Sequence, residues 1–294
     1  MMLSRTVDVD GPVHYLEYEG VSDGPTFVLV HALEGHHANW VGLAPLLAQQ
    51  GRVLVPDLVG FGRTPLEQRS ARLMDNVAYF ERFLSLTTDA PVVLVGNSMG
   101  SAVSLLLARA RPEAVAGLAL LGPAIARSIR HGVDPLVVPI FGGTLVPRPV
   151  SAFFGRRIQP RGPEWFVRQM LMLCTLYPER VAPHIVDANV AMAAERLKMA
   201  WAPHAFTQAA RSTMSFLAIQ RRFWQMMLDV RTPVVLIGGV ADRLVPIGCL
   251  HDAVRRRPDW DLEVLEAGHM PQLEDPAGTA EAITRWVDHR VHAA

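Results

Sequence analysis

The stretch Pro91-Val-Val-Leu-Val-Gly-Asn-Ser-Met-Gly100, followed by Ser101-Ala-Val-Ser-Leu-Leu-Leu-Ala-Arg-Ala-Arg111, decides the architecture. Residues 91–97 are short, apolar and β-branched, the pattern of a strand buried on both faces. Residues 99–111 read as a helix that Pro112 stops. Between them lies Gly96-x-Ser98-x-Gly100, and a serine on so sharp a strand-to-helix turn needs neighbours without side chains where backbones pass closely. A random chain of this length would show that pattern roughly 0.06 times.

The flanking segments repeat the rhythm. Thr26–His31, Arg52–Pro56 and Val115–Leu121 read as further buried strands, and Asp75–Leu86 as a helix capped by Asp75. Strands separated by helices imply crossovers and a largely parallel sheet. After Gly122 the rhythm stops. Prolines cluster at 135, 139, 147, 149, 160 and 163, and helical stretches rich in Met, Ala and Leu follow. Strands return at Thr232–Gly238 and Leu262–Leu265, and a helix over Thr279–His292 closes the chain. The expectation is an α/β core of residues 1–122 and 229–294 carrying a helical cap at residues 123–228.

Composition narrows the function classes. The 294 residues are 50% hydrophobic, and 28 basic residues balance 28 acidic ones. That balance gives no reason to expect a nucleic-acid partner. Arg156, Arg157 and Arg161 read as a solvated face. Cys174 and Cys249 are too few for a disulfide framework. The N-terminus lacks the apolar core of a secretory signal, and no uninterrupted apolar run approaches the roughly 18 residues of a membrane span. A cytoplasmic protein without stable membrane insertion is expected; the composition leaves the oligomeric state open.

A serine hydroxyl is a poor nucleophile until a base takes its proton, and the base needs an acid to orient it. Asp242, in Gly238-Gly-Val-Ala-Asp-Arg-Leu-Val-Pro246, follows one late strand, and His269, in Glu266-Ala-Gly-His-Met-Pro271, follows the last. Both fall at the carboxyl ends of strands, where open α/β sheets place their sites. Asp134 is the alternative acid. Two backbone donors must also face the developing oxyanion. Met99 and, from the loop His31-Ala-Leu-Glu-Gly35, Leu33 are the candidates.

The His31 loop, Asp57-Leu-Val-Gly-Phe-Gly62, Gly96-Asn-Ser-Met-Gly100, Asp242 and Gly268-His-Met-Pro-Gln-Leu-Glu-Asp-Pro276 together resemble the α/β-hydrolase superfamily over about residues 24–122 and 232–291. The resemblance implies a Ser98–Asp242–His269 triad, a helical cap and no cofactor. Three positions depart from the family pattern: Ala32 stands where glycine usually follows the histidine, Thr64 where serine is frequent, and Ser101 where a second glycine is frequent. None removes a catalytic group.

His31, His36 and His37 lack a further ligand at metal-site spacing, and no HExxH helix is present, so no metal is expected. His31 is expected to organise the oxyanion loop and border the substrate, with His36 and His37 facing the pocket or solvent. Trp165, Met170 and Met270 are expected to line an apolar acyl site, since methionine adapts to irregular shapes. They could equally be ordinary cap core. The leading function is hydrolysis of small to medium hydrophobic carboxylic esters through an acyl-enzyme on Ser98. A carbon–carbon hydrolase of the meta-cleavage type is the alternative, its cap arginine not assignable from sequence, with Arg168 a candidate; against it, Met270 replaces the tryptophan common after that branch's histidine. A ligand-binding receptor with little turnover is the third reading.

Overall fold

The run at 92–97 forms strand β5 (Val92–Asn97), with alternate side chains on opposite faces: Val92 and Leu94 enter one apolar cluster, Val93 and Val95 another. Both faces are therefore covered, which is why the strand carries no polar alternation. The computed structural model describes residues 1–126, 131–132 and 161–291. Around β5 lie β1 (Met2–Asp8), β2 (Pro12–Tyr18), β3 (Phe27–Val30), β4 (Val53–Pro56), β6 (Val115–Leu121), β7 (Val234–Gly239) and β8 (Asp261–Leu265). They form one eight-stranded sheet in the order β1-β2-β4-β3-β5-β6-β7-β8. Pairing is parallel from β4 to β8 and antiparallel among β1, β2 and β4.

Helices α1 (Ala44–Leu47), α2 (Leu73–Thr87) and α3 (Met99–Ala110) occupy the first half. On one face, Phe80 and Phe83 of α2 and Leu105 and Leu107 of α3 pack against Val28, Leu94 and Leu118. The other face is covered by Leu47 of α1 and by the C-terminal helix, whose Ile283 and Trp286 meet Val93 and Val235. The expected cap on α2 is corrected: the N-cap position belongs to Arg72, and Asp75 lies inside the first turn. There its carboxylate meets the positive end of the helix dipole instead.

Most of the described residues between β6 and β7 are helical: α4 (Gly162–Cys174), α5 (Pro183–Arg196), α6 (Ala202–Ala218) and α7 (Gln220–Met227), with a short 3-10 turn at Pro178–Arg180. Val167, Leu171 and Cys174 of α4 and Ile185 and Ala193 of α5 pack with Met270 and Leu273 in a third cluster. Ala205 and Ala209 of α6 and Phe223 and Met227 of α7 instead join the main core. After β7 come α8 (Ile247–Arg256), the short α9 (Pro271–Glu274) and α10 (Pro276–Arg290). Asp134, Arg156 and Arg157 lie outside the described residues; Arg161 is exposed and stacks over the Trp165 ring at 4.8 Å. No described helix is long and apolar enough to cross a membrane.

Candidate active site

Ser98 directly follows β5 with φ 51° and ψ −114°, a left-handed backbone that a residue with a Cβ adopts only under constraint. The constraint is visible. Ser98 N–H donates to the Leu121 carbonyl at 3.0 Å, and its own carbonyl accepts from Ser101 N at 2.9 Å and Ala124 N at 3.2 Å. A Cβ on Gly100 would lie 2.1 Å from the Val30 carbonyl oxygen, and one on Gly96 would lie 2.8 Å from the Gly100 carbonyl. The two glycines thus let the turn close against β3 while the serine side chain stays half-buried.

Asp242 and His269, which follow β7 and β8, meet at the same end of the sheet. His269 Nδ1–H donates to Asp242 Oδ2 at 2.8 Å, and both side chains are buried. The other carboxylate oxygen, Oδ1, accepts from Leu244 N and Val245 N, each at 2.8 Å. With Nδ1 occupied, Nε2 is the ring atom left to act as a base. Gly122 abuts the pair: a Cβ there would lie 2.8 Å from His269 Nδ1 and 3.1 Å from Asp242 Oδ2. Leu121 to Ala124 therefore touch Ser98 on one side and the Asp242–His269 pair on the other.

Asn97 adds a second link. Its side-chain amide donates to the Leu121 carbonyl at 2.9 Å and to the His269 carbonyl at 3.2 Å, and its Oδ1 accepts from Gln272 Nε2 at 3.1 Å. In sequence Asn97 stands out only as part of a motif, because a partner 172 residues away is invisible from spacing.

The loop after β3 is a tight turn in which Gly35 N–H donates to the Ala32 carbonyl at 2.9 Å, leaving Leu33 and Glu34 at its centre. Glu34 takes φ 60°. Met99 opens α3, so its N–H has no partner within the helix. The expectation that His31 borders the substrate is corrected. His31 is fully buried; its Nδ1–H donates to the Ala32 carbonyl at 2.8 Å, and its Nε2 accepts from Leu58 N at 3.0 Å. Burial pushes its pKa down to about 4, so the imidazole is a neutral strut with both nitrogens spent.

His36 and His37 are also buried, against the expectation that they face pocket or solvent. Burial drives the His36 pKa down to about 3. His37 Nδ1 and His14 Nδ1 each lie 2.8 Å from Asp57 Oδ2. Among the described residues, this trio is the one cluster with metal-ligand spacing. Its geometry is that of hydrogen bonding: Asp57 also accepts from His37 N at 2.7 Å and Arg63 N at 2.9 Å. Burial pushes the Asp57 carboxyl up, but the hydrogen bonds from His14 and His37 outweigh it and hold the group well below the usual carboxylate range. Thr64, at the position where serine is frequent, accepts from His14 N at 3.0 Å through its hydroxyl.

Two acidic residues join the helical segment to this end of the sheet. Glu274 accepts from Gly268 N at 2.9 Å, Leu176 N at 2.9 Å and Tyr177 N at 2.5 Å, and Met270 N donates to the Cys174 carbonyl at 3.1 Å. Glu34 pairs with Arg196 of α5 through both carboxylate oxygens, the Nη2–Oε2 contact being 2.8 Å. Both contacts escaped sequence reading, since each carboxylate sits among residues that resemble a solvated loop. Met270 is buried with Val167 and Leu171, Trp165 and Met170 are half-buried, and Arg168 is exposed.

A family model described as the α/β-hydrolase fold matches residues 25–276. This chain belongs to the α/β-hydrolase family. The hydrolase is 25% identical over 280 residues to an uncharacterized protein of Mycobacterium tuberculosis, covering 90% of this chain and 76% of the relative. Lipase LipV of the same organism is 39% identical over 118 residues, 39% of this chain and 44% of that protein. A 2-hydroxy-6-oxo-6-(2'-aminophenyl)hexa-2,4-dienoic acid hydrolase of Metapseudomonas resinovorans is 24% identical over 297 residues, covering 98% of this chain and 92% of the relative. Among solved structures, Cfl2 from Burkholderia cenocepacia superposes with a TM-score of 0.80 at 21% identity, over 97% of this chain and 95% of that one. That likeness bears on the fold.

Proposed function

We propose that this hydrolase cleaves carboxylic esters of small to medium apolar acyl groups through an acyl-enzyme on Ser98. The observation that carries the reading is the junction at Leu121–Ala124, which holds the strained Ser98 backbone on one side and the 2.8 Å Asp242–His269 pair on the other. In this reading His269 Nε2 accepts the Ser98 hydroxyl proton as Oγ attacks the ester carbonyl carbon. The amides of Met99 and Leu33 receive the oxyanion. The carbon–oxygen bond breaks, and the leaving alkoxide takes the proton from His269. Water then attacks the acyl-enzyme, gives its proton to the same nitrogen, and frees the acid while Ser98 regains a proton. Asp242 fixes the tautomer and balances the imidazolium. Trp165, Met170 and Met270 contribute the apolar surroundings of the acyl group, under a cap spanning residues 123–228.

A carbon–carbon hydrolase is the second reading, favoured by the near full-length likeness to the dienoic acid hydrolase. A dienoic acid brings a carboxylate that a basic side chain should meet. Arg196, the buried arginine of the described cap, is already neutralised by Glu34, and Arg168 is exposed. That pairing supports the ester.

Hydrolysis of p-nitrophenyl esters from acetate to palmitate, beside Ser98→Ala, tests the proposal. A rate that vanishes in the variant is expected, with a preference for short to medium chains. No Ser98-dependent rate on any ester, with turnover of a vinylogous dienol acid, would move the carbon–carbon reading ahead.

A further inference from the structure

Glu34 occupies a position whose backbone favours glycine. It sits at φ 60° in the turn closed by Gly35 N and the Ala32 carbonyl, next to Leu33. A side chain with a Cβ is strained there unless something holds it.

Arg196, the last residue of α5, supplies the hold. Its guanidinium reaches both oxygens of Glu34, and Nη1 donates to the Gly60 carbonyl at 3.2 Å. The group lies 5.2 Å from the Phe61 ring centroid and 5.7 Å from that of Trp201. Phe61 in turn stacks edge-on against His31 at 5.5 Å, and His31 anchors the same turn through Ala32. Arg196 is 6% exposed and the Glu34 side chain is part-buried, so this is a two-point clamp held by a buried guanidinium, with a second contact on the loop after β4. A planar guanidinium meets a carboxylate in one geometry; an ammonium would not.

We propose that Arg196 is a positioning residue for the oxyanion loop: docked through Arg196, helix α5 pins Glu34 and thereby aims the Leu33 amide toward Ser98. The catalytic part of this inference rests on the Ser98 reading above. Its structural part, that Arg196 stabilises the 32–35 turn, stands without it. The hydrolase would then reach full competence only with α5 seated on the oxyanion loop.

The test uses Arg196→Met, which keeps the stem and removes the fork, and Arg196→Met combined with Glu34→Gly, which removes the carboxylate and supplies the residue at home at positive φ. Amide hydrogen exchange of the 31–40 segment is read on the full chain, together with p-nitrophenyl ester kinetics. Arg196→Met is expected to speed exchange there at least tenfold and to lower kcat ten- to a hundredfold, with KM within threefold. The double variant is expected to return both to within about threefold of wild type. Arg196→Lys, which keeps charge and volume, should fold if Arg196→Met does not, and should fall between the two. Unchanged exchange in Arg196→Met, or a double variant as impaired as the single, would overturn the proposal, because an arginine that merely glues the cap gains nothing from Glu34→Gly. An ester rate independent of Ser98 would instead overturn the functional reading and leave the exchange result to decide the clamp.

Discussion

The side-chain amide of Asn97 donates to the carbonyl oxygen of His269 at 3.2 Å, so the residue before the serine at the elbow holds the backbone of the residue proposed to activate it. That amide also holds the end of β6 at Leu121, which makes it a three-way tie at the carboxyl edge of the sheet. Removing it leaves the fold's apolar layers untouched and loosens the relation between two loops.

Asn97→Ala should therefore lower kcat for ester cleavage roughly ten- to a hundredfold with little change in KM, since small misplacement of a base is enough for such a loss. Stability should fall by about 1–3 kcal/mol because Gln272 and the two carbonyls lose a buried partner. Steady-state kinetics and urea unfolding on the same preparation check both halves.

Gly122→Ala should be worse for activity than its size implies. The new methyl would lie 2.8 Å from His269 Nδ1 and 3.1 Å from Asp242 Oδ2, at a backbone φ of 45°. It must displace the acid, the imidazole or the strand end. At least a hundredfold loss of kcat is expected, on the order of the loss that misplacement of a reacting group produces, and a crystal structure of the variant should show the Asp242–His269 hydrogen bond broken or shifted.

Leu33→Pro tests the assignment of an oxyanion donor that no ordinary substitution reaches. Proline is tolerated at the second position of a turn followed by a residue at positive φ, so the backbone survives while one N–H disappears. A loss of about 10²–10³ in kcat is expected, the range seen for deletion of one such donor. Full activity would remove Leu33 from the mechanism.

Stability should fall on mild acidification. His31 and His36 are buried with pKa values lowered to about 4 and about 3, below the 6.5 of the unfolded chain. Between those values and 6.5 the unfolded state binds protons that the folded state refuses, so unfolding is favoured as pH drops through that window; above it the two states bind alike. Each histidine should cost about 2 kcal/mol by pH 5. Urea unfolding at pH 7.5 and 5.0 measures the drop, and His36→Gln should shrink it. A wild-type stability that is flat to pH 4.5 would contradict the burial of both rings.

The central sheet is legible because its strands are buried on both faces and their apolar runs have no competing period: the sequence marks β6 at Val115–Leu121, its observed bounds, and β3 to β5, β7 and β8 within two residues. Strands β1 and β2 do not stand out in the sequence, although Asp10-Gly11, at φ 52° and 127°, is the residue pair that favours a tight hairpin. β1 is the exposed edge strand, and β2, though buried, carries His14 and Glu17 among its apolar residues, so neither gives a continuous apolar signal. Asp242 and His269 were visible as polar residues just past strands, and the structure brings them to 2.8 Å. Arg196, Glu34, Glu274 and Asn97 were not visible as partners, because a buried polar contact depends on where the helical segment docks. His31 and His37 looked available only because sequence shows residue type and not the depth of the loop that carries them.

Covalent trapping of the serine tests the central claim most directly. A fluorophosphonate places a tetrahedral phosphorus on an activated serine oxygen as fluoride leaves, and peptide mass spectrometry locates it. One adduct on the peptide carrying Ser98 is expected, absent in Ser98→Ala and formed at least a hundredfold more slowly in His269→Ala, in line with the 10²–10⁴ that a general base contributes. No adduct, or one that persists when Ser98 is alanine, would contradict the account.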